Sequence, residues 1–105
     1  MRILFDQGTP APLRHRLETH SVDTVAEKGW FTLSNGELLA RAEEAGYDVF
    51  LTTDQNIRYQ QNMTGRNLAI VVLMSMSWPR IQQRLAGIES AITCAHPGSY
   101  KEVHV

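Results

Sequence analysis

At 105 residues the chain has the length of one domain, enough for a single core and too short for two. Its 43% hydrophobic and 20% charged content is that of a globular protein and excludes a disordered or fibrous class. The formal net charge of −1 excludes a protein that coats nucleic acid by bulk charge, although a local basic rim around an acidic site would escape this count.

Arg2 to Phe5 is a short apolar run ended by Asp6-Gln7-Gly8, and reads as a buried strand with its turn. Asp6 also interrupts the N-terminal segment too early for the apolar core of a secretory signal. Thr9-Pro10 predicts a helix cap followed by proline in the first turn, with Leu13 and Leu17 on the buried stripe. Ser21 to Ala26 alternates Val22, Thr24 and Val25 with other residues and predicts a second strand.

Ser34-Asn35-Gly36-Glu37 has capping-box spacing, and Leu38, Leu39, Ala42 and Ala45 follow at helical intervals up to a stop at Gly46. Asp48 to Thr52 predicts a third strand ending at Thr53-Asp54, and Gln55 to Asn62 a short helix with Ile57 facing inward. Ala69 to Met74, the most continuous apolar run, suits a strand covered on both faces. From Pro79 one helix is expected, carrying Ile81, Leu85, Ile88 and Ile92, with Cys94 packed in it. Tyr100 to Val105 alternates as a last edge strand. The β-α-β-α-β-α-β-α-β order favours a mainly parallel sheet with helices on both faces, a three-layer α/β/α sandwich occupying residues 1–105 as one domain. No apolar run approaches the roughly 20 residues that span a bilayer. A lone cysteine fits a reducing cytosol, and no membrane association is expected.

Ligands of open parallel sheets collect at the carboxyl ends of the strands. Asp6 and Asp54 each close a predicted strand there, where carboxylates suit Mg²⁺ or Mn²⁺. Aspartate also caps turns in that position, but two at strands expected to be neighbours favour a site. Glu37 divides between two roles, ligand or capping-box partner of Ser34. Gln7 and Thr9 lie beside Asp6 as water or phosphate contacts or as turn residues. The amide-rich block from Gln55 to Asn62 places Arg58 and Tyr59 as phosphate and base contacts, with Arg66 as a second phosphate contact; a solvated helix face is the alternative. The scattered histidines form no metal-ligand spacing. Trp30 and Trp78 are expected to pack over the core rim or to anchor a partner.

The blocks LFDQGTPAPL, NGELLARAEEAGYDVFLTTD and QNIRYQQN, in that order, resemble a bacterial family of small PIN-like proteins similar to the toxin nucleases of VapBC-type toxin–antitoxin systems. The resemblance runs from Met1 through Leu73. It implies a PIN-like sheet of four to five strands, Mg²⁺ or Mn²⁺ held by acidic residues, hydrolysis of RNA phosphodiesters and pairing with a small antitoxin in the cytoplasm. Carried over by position, Asp6 and Asp54 match the first- and third-strand acids, and Glu37 is the candidate between them. Asn35 and Asn56 stand where many relatives carry acids; each can still offer a carbonyl oxygen, but no charge. A catalytically weakened PIN-like binding or regulatory module is therefore the alternative, and a homodimer is compatible with either. A receiver-like phosphoacceptor domain fits less well, because only Asp6 follows the first strand and Lys101 comes late.

Overall fold

The computed structural model describes residues 1–57 and 66–105. Five strands form one sheet: β1 (Arg2–Phe5), β2 (Ser21–Thr24), β3 (Val49–Thr52), β4 (Ala69–Leu73) and β5 (Tyr100–Val103), in the order β2-β1-β3-β4-β5. Every pairing is parallel, with Ile3 opposite Val22 and Val49, Leu51 opposite Val71, and Val72 opposite Glu102. The mainly parallel α/β sheet expected from the alternation of elements is thus wholly parallel.

Strand periodicity divides the core in two. Ile3, Phe5, Val49, Leu51, Val71 and Leu73 point to one face, where Leu13, Leu17, Ile81, Ile88 and Ile92 cover them. Leu4, Phe50, Ile70 and Val72 point to the other, beneath Val25, Leu38, Leu39, Ala42 and Ile57. Burial on both sides explains why β3 and β4 read as unbroken apolar runs rather than alternating ones.

Among the described residues, the helical segments with full bounds are a 3-10 helix η1 (Ala11–Arg16), α1 (Val25–Lys28), α2 (Asn35–Glu44), α3 (Trp78–Gln82) and α4 (Leu85–Thr93). Four local expectations are corrected. Thr9 does not cap the first helix: Pro10 takes that position, and the Thr9 hydroxyl donates instead to the Leu51 carbonyl at 3.4 Å. The second strand stops at Thr24, because Thr24 and Glu27 close a full capping box that turns Val25 into a helix. The single last helix is two: the N–H groups of Gln83 and Arg84 bond three residues back, to Arg80 and Ile81, and Arg84 leaves helical geometry at φ −121°, ψ 24°. Cys94 is exposed at the end of α4 rather than packed.

Gly46 (φ +84°) ends α2 as its position suggests, and Arg2 packs against it to donate to the Ala45 carbonyl. The short helix expected over 55–62 lies outside the described residues from 58 onward; Ile57, at its start, is fully buried. Trp30 and Trp78 pack at the rims of the two cores. Among the described residues, no helix is long and apolar enough to cross a membrane.

Candidate active site at the ends of β1 and β3

The strand order reverses direction between β1 and β3: the chain leaves β1 toward β2 and leaves β3 toward β4. Loops diverging at such a point open a crevice at the carboxyl edge of the sheet, the usual ligand position in this architecture. Asp6 and Asp54 stand on its two sides.

Thr52 joins them. Its side chain is fully buried, and its hydroxyl donates to Asp6 Oδ2 at 2.7 Å while accepting from the Asp54 N–H at 3.0 Å. The other Asp6 oxygen accepts from the Gln7 N–H at 2.9 Å, and Asp54 Oδ1 accepts from the Asn56 N–H at 3.0 Å. The Asp6 N–H itself donates to the Leu51 carbonyl at 2.9 Å, which ties the loop after β1 to β3. That loop turns at Gly8 (φ +87°), where a Cβ would come within 3.2 Å of Thr53 Oγ1.

Burial pushes the Asp6 carboxyl above its ordinary range, and the Asp54 carboxylate adds to the rise; hydrogen bonds from Thr52 and Gln7 act in the opposite sense. Two half-buried acids therefore share one edge, and no basic side chain donates to either among the described residues.

Asn35, the first residue of α2, donates from its amide to Asp54 Oδ2 at 3.4 Å. It is thus brought into the site, as is Asn56 through its backbone. Glu37 is placed differently. It lies on the exposed first turn of α2, where its carboxylate accepts from the Ser34 hydroxyl at 3.2 Å and its N–H donates back to the Ser34 oxygen at 3.4 Å. Among the described residues, no three His, Cys, Asp or Glu side chains gather as a metal-holding group. The three-carboxylate set expected from the sequence is a pair of carboxylates with an amide in this structure.

Arg66 precedes β4 at the opposite edge of the sheet and pairs with Glu43 at 3.2 Å. Glu43 lies eight residues along α2 from Asn35, roughly 12 Å at helical rise. Arg58 and Tyr59 lie outside the described residues. Thr52 was not singled out by sequence reasoning. Its signal was a hydroxyl residue closing an otherwise apolar strand two positions before an aspartate.

Beside Asp6 lies a cleft of about 230 Å³ between the loop after β1 and the start of α1. Phe5 and Val25 floor it, and Gln7, Thr9 and Arg14 are among its polar lining.

Compared with known proteins, the chain matches no family model, no curated protein and no solved structure. The parallel α/β architecture rests on the sheet itself, and the functional reading on the chemistry of the switch point.

Proposed function

We propose that the chain is a PIN-like, metal-dependent ribonuclease that hydrolyses RNA phosphodiester bonds at the Asp6–Asp54 edge, as the toxin half of a toxin–antitoxin pair. The observation that carries this reading is the joining of two strand-end aspartates by one buried hydroxyl at the point where the strand order reverses.

The donor set suits a hard divalent cation. All the groups offered are oxygens, from the carboxylates of Asp6 and Asp54 and the amide of Asn35 after a side-chain turn. Asp6, whose proton affinity is raised by burial and by the neighbouring Asp54 carboxylate, gains from a cation that neutralises its charge. When bound, Mg²⁺ or Mn²⁺ supplies charge stabilisation to a phosphoryl oxygen and a more acidic water. The residues of the chain do the rest. Thr52 fixes the rotamer of Asp6, the Gln7 and Asn56 N–H groups fix the second oxygen of Asp6 and one of Asp54, and Ser34, bonded to the Glu37 carboxylate, caps α2 and so holds Asn35 at the edge.

The test is cleavage of a mixed-sequence RNA against Mn²⁺ concentration, for the wild type, Asp6→Asn and Asp54→Asn. Cleavage that requires Mn²⁺ and falls at least about a hundredfold in both variants is expected. Metal-independent cleavage, or cleavage untouched by both substitutions, overturns the proposal.

A second reading is a catalytically weakened PIN-like module that binds a partner such as a small antitoxin. It draws on the finding that no third acid joins the pair among the described residues. Tight Mn²⁺ binding in calorimetry counts against it, and its absence together with co-purification of a small partner favours it.

A further inference from the structure

The cleft beside Asp6 is separate from the carboxylate pair in chemistry though continuous with it in space. We infer that it is a nucleobase pocket, taking the base of the nucleotide whose phosphate lies over Asp6 and Asp54; this rests on the ribonuclease reading above.

Size limits the occupant first. About 230 Å³ falls below the roughly 300–1,000 Å³ of sites for drug-sized ligands, so one ring system fits and a dinucleotide does not. The floor is apolar, made by the nearly fully buried Phe5 and Val25. The walls stay open because Gly8, Ala11 and Ala26 carry little or no side chain.

Charge limits it next. The basic residue of the cleft, Arg14, is already engaged: Nη1 donates to Glu27 at 2.9 Å and Nη2 to the Val22 carbonyl at 2.7 Å. An anion there would meet the Asp6 carboxylate, while the Arg14 charge is already paired with Glu27. An uncharged ring avoids that repulsion while its apolar faces cover Phe5 and Val25.

Recognition falls to Gln7. It is exposed on the loop after β1, and its side-chain amide has no partner among the described residues. An amide offers one acceptor and two donors, the complement of a base edge. The Gln7 N–H, meanwhile, is held by Asp6 Oδ1 at 2.9 Å, so the residue that faces the base is registered against the residue that faces the phosphate. The base would therefore choose which phosphodiester is presented to the carboxylates.

The experiment titrates uridine, cytidine, adenosine and guanosine into the ¹⁵N-labelled full chain without divalent cation, following backbone amide shifts. The expected result is saturable binding of at least one nucleoside, centred on Gln7, Gly8, Val25 and Ala26. Ala26→Leu or Ala11→Leu, both at exposed positions, should weaken it at least about tenfold by filling the cleft. Gln7→Ala should alter the order of preference among the four bases. No saturable binding, shifts centred elsewhere, or unchanged affinity in both filled variants with folded spectra overturns the inference. Because neither cation nor cleavage is involved, the two readings fail separately. A chain that binds nucleosides here and cuts no RNA keeps the pocket and loses the nuclease; one that cuts RNA but binds no nucleoside does the reverse.

Discussion

The Thr52 hydroxyl donates to Asp6 Oδ2 at 2.7 Å and accepts from the Asp54 N–H at 3.0 Å, so one buried side chain links the ends of β1 and β3. The link crosses the sheet at the point where the strand order reverses, and sets the separation of the two acids before any ligand arrives. A threonine can do this because its hydroxyl gives one hydrogen bond and takes another, while its methyl packs as valine would.

Thr52→Val keeps the shape and removes both bonds. The Asp54 N–H and one Asp6 oxygen lose their partner, and stability should fall by about 1–3 kcal/mol in urea unfolding. The Asp6 carboxyl should titrate still higher, because the Thr52 bond is a lowering influence on it. Carboxyl ¹³C titration reads this directly. An unchanged Asp6 titration would show that the hydroxyl does not govern the site.

Acid stability carries a signature of Asp6. Burial raises its folded pKa above the ordinary 3.8, so between the two values the folded chain holds more protons than the unfolded one. Its stabilising contribution is complete below the unfolded value and is lost as pH rises through the folded one. Asp6→Asn has no such titration. The stability of Asp6→Asn minus that of the wild type should therefore increase from about pH 3 to about pH 7, measured by urea unfolding across that range. A difference that decreases with pH would contradict the burial of the charge.

Asn35→Asp tests the amide beside Asp54. A third carboxylate at the present 3.4 Å contact would replace a donated hydrogen bond with like-charge repulsion. Without cation the variant should lose up to about 1 kcal/mol, less at high salt. With Mn²⁺ present the same charge should tighten binding at least about tenfold, read by calorimetry. Weaker Mn²⁺ binding would place the cation away from Asp54.

Glu37→Gln separates a cap from a ligand. Because the carboxylate accepts from Ser34 on an exposed helix start, the variant should lose a few tenths to about 1 kcal/mol of stability. Its Mn²⁺ affinity should stay within about twofold of the wild type. A large loss of affinity at unchanged stability would make Glu37 a ligand.

Much of this was legible in the chain. β1 and β3 follow from apolar runs closed by Asp6 and by Thr53-Asp54, and α2 from its Ser34 cap, its buried Leu38, Leu39 and Ala42, and its stop at Gly46. Other boundaries misled for identifiable reasons. Val22, Thr24 and Val25 have strand propensity, yet the Thr24–Glu27 box overrides it and starts α1 a residue after β2 ends. Ile81, Leu85, Ile88 and Ile92 keep helical spacing across Arg84, so periodicity could not mark the break between α3 and α4.

The sequence by itself determined most of the apolar core, the five strands and that two aspartates end strands, because these depend on spacing within a few residues. It did not determine that the strands lie in the order β2-β1-β3-β4-β5, or that Thr52 reaches Asp6 across 46 residues of chain. Nor did it decide between the ligand and capping roles of Glu37, whose carboxylate the structure sets against the Ser34 hydroxyl, or place Arg66 against Glu43 at the far edge. Those are long-range choices. They were made when two apolar faces of one sheet were covered at once, and only the packed arrangement fixes which polar ends then meet.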